Sequence, residues 1–146
     1  MFESILVVCV GNICRSPFGE RYLQQLLPNK HVSSAGLGVK TSRLESKPAD
    51  ATAVKVADSY HVDLSKHEAR QVTPEICKEV DLILVMEKKH ISKLCEIAPE
   101  ARGKAMLFSH WIGGKDIPDP YKKSEEFFNL SFSMIERSSQ EWAKKI

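Results

Sequence analysis

Ile5, Leu6, Val7 and Val8 form an apolar run with no alternation, and Asp81 to Met86 repeats the pattern later in the chain. A strand with one wet face alternates apolar and polar residues; one that is apolar at every position is buried on both faces. Such strands belong to parallel sheets covered by helices on both sides. The intervening segments carry the 3.6-residue periodicity that covering helices need. The expected order is a strand over Ser4 to Val8, a helix over Pro17 to Leu27 and a strand near Val32. A helix started by Pro48 and Asp50 follows, with Ala53, Val56, Ala57 and Tyr60 on one face. Thr73-Pro74-Glu75 opens a short helix to about Glu79, a capping order of hydroxyl, proline and acid. A strand at Asp81 to Met86, a helix from Lys88 to Cys95 and a strand at Lys104 to Phe108 come next. A long helix from Ser124 to Lys145 then turns Phe127, Phe128, Met134, Ile135 and Trp142 to the sheet. Alternating strands and helices predict an α/β fold: a single three-layer domain over residues 1–146, with a four-stranded parallel sheet and helices on both faces.

In such sheets ligands bind at the carboxyl ends of the strands. There the first strand runs into Cys9-Val10-Gly11-Asn12-Ile13-Cys14-Arg15-Ser16-Pro17, at the mouth of a helix. Backbone N–H groups of a tight loop and of a helix start converge on an anion, so a phosphate-binding loop is expected after strand one, with residues 10–14 and Ser16 as its lining. Arg15 adds a planar fork that pairs bidentately with phosphate oxygens. The same field favours the thiolate of Cys9, the nucleophilic form. Gly11 serves close backbone approach or a positive φ, and Asn12 tolerates the left-handed region. Ser16 either caps the helix or donates to Cys9. Cys14 either fills space or captures an oxidised Cys9 as a disulfide. No Gly-x4-Gly-Lys-Ser/Thr occurs, which excludes a nucleotide P-loop.

Asp116-Ile117-Pro118-Asp119-Pro120-Tyr121 is stiffened by two prolines into an extended loop able to hold a carboxylate over an anion site. Tyr121 either walls a cleft for an aromatic ring or merely packs.

Cys9 to Pro17 resembles the signature loop of the low-molecular-weight protein-tyrosine phosphatases, and the likeness extends through nearly the whole chain. Ser34-Ala35-Gly36, His67-Glu68-Ala69-Arg70-Gln71, Asp81 to Glu87 and Asp119-Pro120-Tyr121 carry it. The resemblance implies Cys9 as nucleophile, Arg15 as phosphate binder and Asp119 as general acid, with Asp116 as the second candidate. It implies that Asn12, Ser16, Ser34 and His67 brace the loop. Met86-Glu87-Lys88 and Ile117 to Ser124 are similar to the bacterial branch that accompanies capsule and exopolysaccharide export. That branch implies as partner the tyrosine-rich C-terminal tail of a membrane tyrosine autokinase. Two departures stand out. Lys122 replaces a second tyrosine of eukaryotic members, and the surface loop Leu37 to Lys47 lacks the aromatic residue of many relatives.

A net charge of +2 is too mild for nucleic-acid binding, and no apolar run is long enough to span a bilayer or serve as a signal peptide. A cytoplasmic enzyme is expected, with no membrane insertion. Histidines 31, 61, 90 and 110 show no ligand spacing with the cysteines, so no metal and no other cofactor is expected. Two rivals weaken on the same residues. An arsenate reductase needs a close downstream cysteine pair, whereas Cys77 and Cys95 are 18 residues apart. A non-catalytic phosphotyrosine-binding module would not need Cys9, Arg15 and Asp119 together.

Overall fold

A computed structural model describes residues 2–146. Four parallel strands, β1 (Ser4–Cys9), β2 (His31–Gly36), β3 (Leu82–Val85) and β4 (Ala105–Leu107), lie in the spatial order β2-β1-β3-β4. The helices are α1 (Arg15–Leu26), α2 (Ala51–Ser59), α3 (Pro74–Lys78), α4 (Lys88–Ile97) and α5 (Glu125–Lys145). Single 3₁₀ segments flank β4 at Pro99–Lys104 and Phe108–Ile112.

The period of two along β1 divides the core. Ile5, Val7 and Cys9 face a cluster built with α1, α2 and α5, where Phe18 stacks on Phe132 at 4.1 Å between ring centroids. Leu6 and Val8 face a second cluster, closed by Cys77 of α3 and Leu94 of α4. The three layers and the two-sided strands are therefore as the apolar runs predicted. Because β2 and β3 flank β1 on opposite sides, the strand order reverses direction at β1. Its carboxyl end opens at the switch point where α/β sheets bind ligands.

Four expectations are corrected. Helix α1 starts at Arg15, not Pro17, since a proline is tolerated throughout the first turn, whose N–H groups have no helical partner. On α5 the buried aromatics are Phe128, Phe132 and Trp142, while Phe127 and Met134 sit half-buried at the edge of that stripe. The segment after β2 is not simply a surface loop: Leu37 and Val39 are buried beneath the carboxyl edge. Helix α4 runs two residues beyond Cys95, to Ile97. Asp50, Thr73 and Ser124 cap α2, α3 and α5 through their side-chain oxygens.

Candidate active site

The loop from Cys9 to Arg15 is shaped by bonds that all pull one way. The carbonyls of Cys9, Val10, Asn12 and Ile13 accept hydrogen bonds from Leu37 N, Gly38 N, His67 Nε2 and Asp50 N. None of those four donors lines the cleft above the loop. A trans peptide points its N–H opposite its C=O, so the amides of Val10, Gly11, Ile13 and Cys14 turn toward the cleft. Asn12 makes the turn possible with φ of 56°; Gly11, also a candidate for positive φ, instead packs close to Leu44. Gly36 is required one strand away, since a Cβ there would lie 2.5 Å from the Val10 carbonyl oxygen.

Beneath the loop the polar residues form one directed chain. The Asn12 amide donates to Ser16 Oγ at 2.7 Å and to Ser34 Oγ at 3.0 Å, while its Oδ1 accepts from Arg70 N. With their oxygens accepting from Asn12, both hydroxyls are left to donate outward. Ser34 donates to Glu20 at 2.6 Å, and Ser16 Oγ lies 2.9 Å from Cys9 Sγ. Of the two roles open to Ser16, the contact with sulfur is the one present; residue Cys14 occupies the α1 cap position without a side-chain cap bond. Burial lowers the pKa of His67, so its imidazole is neutral and Nε2–H donates to the Asn12 carbonyl.

Arg15 is almost fully buried, with a side chain 2% exposed, and a buried charge persists only with partners. Its Nη1 donates to Glu87 Oε2 at 2.6 Å and to the Ile117 carbonyl at 2.8 Å. Burial opposes ionisation of Glu87, but the Arg15 hydrogen bond and charge outweigh it and lower its pKa. Behind the pair, His90 Nδ1 accepts from Glu87 N at 3.2 Å. Burial first, then the Arg15 charge, push the His90 pKa down to about 4, so this side chain is a neutral spacer.

The loop that carries Asp116 and Asp119 is pinned at several points. Ile117 N donates to the Met86 carbonyl at the end of β3, and Ser131 of α5 donates to the Pro118 carbonyl. Asp119 Oδ2 consequently stands 3.9 Å from Arg15 Nη2, on a side chain 51% exposed, and its Oδ1 accepts from Tyr121 N. Asp116 is committed elsewhere, accepting from Lys88 N at the start of α4. Cys9 through Arg15, Asp119 and Tyr121 thus line one cleft of about 240 Å³, together with Ser42 and Leu44. Ser16, Ser34 and His67 lie below it. Glu20, Ser42 and Leu44 were not singled out by sequence, and Glu87 stood there only inside the Asp81 to Glu87 and Met86-Glu87-Lys88 resemblance, with no role assigned. Glu87 carried a usable signal, a charged residue directly after the apolar run of β3. Cys77 and Cys95 are buried on separate helices, away from the cleft.

Asn12→Ala is expected to cost about 3 kcal/mol in denaturant unfolding, combining left-handed strain with three lost hydrogen bonds. Asn12→Gly relieves the strain but, like the alanine, lacks the side-chain amide and its three hydrogen bonds. It should regain part of the stability while still binding inorganic phosphate weakly.

Three comparisons bear on this arrangement. Residues 4–146 match the family model described as low molecular weight phosphotyrosine protein phosphatase. The chain is 53% identical over 146 residues to the low molecular weight protein-tyrosine-phosphatase Wzb of Escherichia coli strain K12, covering all of this chain and 97% of that protein. Vibrio vulnificus Wzb in complex with benzylphosphonate superposes with a TM-score of 0.99 at 58% identity, each chain covered completely. Wzb of Escherichia coli K30 in complex with sulphate gives 0.95 at 48% identity, with 99% of each chain covered. An anion-sized cleft over a cysteine and a buried arginine, on this sheet order and with these relatives, places the chain in the low molecular weight phosphotyrosine protein phosphatase family.

Proposed function

We propose that this protein-tyrosine phosphatase works through a cysteinyl-phosphate intermediate on Cys9, and that residues 1–146 form one catalytic domain. The observation that carries the mechanism is the meeting of the Ser16-bonded Cys9 sulfur, the buried Arg15 and the Asp119 carboxyl in one cleft. In the first step the thiolate attacks phosphorus. The bond from phosphorus to the tyrosyl oxygen breaks, and protonated Asp119 gives its proton to the leaving phenolate. The inward amides and Arg15 hold the phosphoryl oxygens as charge builds on them. In the second step water attacks phosphorus, Asp119 takes a proton from it, and the sulfur–phosphorus bond breaks to release phosphate. Tyr121, 42% exposed beside Asp119, walls the cleft against the substrate ring. Neither a metal nor another cofactor enters this scheme. Rapid quench with labelled substrate is expected to trap phosphate on Cys9. Label on no residue would end the covalent scheme.

The substrate we assign is the phosphorylated, tyrosine-rich C-terminal tail of a membrane tyrosine autokinase of polysaccharide export, met in the cytoplasm. Resemblance to the capsule-associated branch and similarity to proteins named Wzb support this choice. No helix among the described residues is long and apolar enough to cross a membrane, and no nucleic-acid partner is invoked. Deleting the gene is expected to raise phosphotyrosine on the kinase and to alter secreted polysaccharide; unchanged phosphorylation would refute the assignment.

Cys14 takes a protective role in the same proposal. Burial, and then the Asp50 carboxylate, push its thiol pKa far up, so it does not replace Cys9 as nucleophile. Peroxide converts the Cys9 thiolate to sulfenic acid with loss of hydroxide, and the Cys14 thiol displaces water from it to give a disulfide. Inactivation by peroxide should be reversed by dithiol in the wild type and become largely irreversible in Cys14→Ser. Equal build-up of sulfinic acid on Cys9 in both would reduce Cys14 to packing.

A further inference from the structure

Val10 is the odd member of the catalytic loop. Its backbone belongs to the anion site, yet its side chain is apolar and 38% exposed. It is also a shared wall, because a second groove of about 470 Å³, roughly twice the size of the catalytic cleft, lies on its other side. Val10 and Leu37 give that groove its apolar lining, and Gly38 lets the following loop lie against Val10, where a Cβ would come within 3.3 Å of Cγ1. The far wall is one side of α4, with exposed Lys89, Ser92 and Lys93, the buried His90 beside them, and Glu96 one turn further on. Ser42, like Val10, lines both the groove and the catalytic cleft, so the two adjoin.

We propose that this groove seats the residues flanking phosphotyrosine in the substrate polypeptide: an apolar side chain against Val10 and Leu37, with an acidic neighbour facing Lys89 and Lys93. The inference rests on the phosphatase reading and extends it to sequence preference. Three features select this occupant. Val10 and Ser42 line both recesses, so a chain leaving a phosphotyrosine seated in the cleft emerges beside the groove. An apolar floor rewards an apolar residue. Two lysines line the groove, Lys93 and Lys89, the latter 3.6 Å from Glu87 Oε1, and their positive charge favours a carboxylate and, by repulsion, disfavours a basic group. Glu96 lies at the far end, where it limits the acidic preference to the residues nearest the phosphotyrosine.

The test compares phosphotyrosine peptides that carry leucine and glutamate beside the phosphotyrosine with peptides carrying serine and lysine there. 4-Nitrophenyl phosphate, which reaches only the catalytic cleft, is the reference. The wild type should prefer the leucine–glutamate peptide by about tenfold in kcat/KM, an apolar contact plus one ion pair. Ser92→Trp, which fills the groove from an exposed position on α4, should abolish the preference while hydrolysis of the aryl phosphate stays within about twofold. Lys93→Glu should turn the charge preference towards lysine. Equal kcat/KM for both peptides in the wild type, or a preference untouched by Ser92→Trp, would overturn the proposal. Failure of the wild type to hydrolyse 4-nitrophenyl phosphate would instead overturn the phosphatase reading beneath it.

Discussion

Cys9→Ser is expected to lower kcat by roughly 10⁴-fold or more, the scale on which covalent enzymes lose activity when the nucleophile is removed. A serine hydroxyl in the same pocket has no accessible anionic form near neutral pH, so the attacking group is lost. Phosphate affinity should survive, because the inward amides and Arg15 are untouched, so titration with inorganic phosphate separates lost chemistry from lost folding. Wild-type-like turnover by Cys9→Ser would exclude the mechanism. Arg15→Lys should come close to the same loss for a different reason. A lysine cannot present a fork to phosphate, and it also abandons Glu87 and the Ile117 carbonyl, leaving a carboxylate 15% exposed without its partner.

Asp119→Asn is expected to slow phosphotyrosine hydrolysis by about 10²- to 10⁴-fold, the usual contribution of a positioned proton donor. The asparagine keeps the shape and the hydrogen bond from Tyr121 N but carries no transferable proton. An aryl phosphate whose phenol is strongly acidic leaves without protonation, so its hydrolysis should fall much less. The ratio of the two losses is the measurement. Equal slowing would remove Asp119 from the acid role, and Asp116 would not inherit it easily, since that carboxylate is engaged at the start of α4.

The parts of this molecule legible in its sequence are those set by local rules. Unbroken apolar runs gave two-sided strands, and caps such as Thr73-Pro74-Glu75 gave helix starts within a residue or two. A cysteine and an arginine in one short loop point to an anion site because a loop's neighbours in sequence are its neighbours in space. What escaped was assembled from afar. Glu87 meets Arg15 across 72 positions, and the Ile117 carbonyl meets it across 102; no spacing pattern encodes such pairs. Ser34 and His67 were reachable only through resemblance, because their shared partner, Asn12, joins them by tertiary contact alone. Leu37 and Val39 were misjudged because glycines and serines around them look like surface composition, while the chain must pass under the carboxyl edge of the sheet to bond the carbonyls of Cys9 and Val10.

The guanidinium of Arg15 joins three separate stretches of chain: its own helix start, the tip of β3 through Glu87, and the acid loop through Ile117. Many enzymes bring the proton donor in with a flap that must shut before chemistry begins. In the proposed mechanism the loop carrying Asp119 is clamped by Arg15, the residue assigned to grip the phosphoryl group, so its ordering entropy is spent once, during folding, rather than on every catalytic cycle. A small aryl phosphate should therefore meet a site already assembled, with no closing motion to wait for. The corollary is a shared vulnerability, because damage that frees Arg15 releases the acid from its station in the same event.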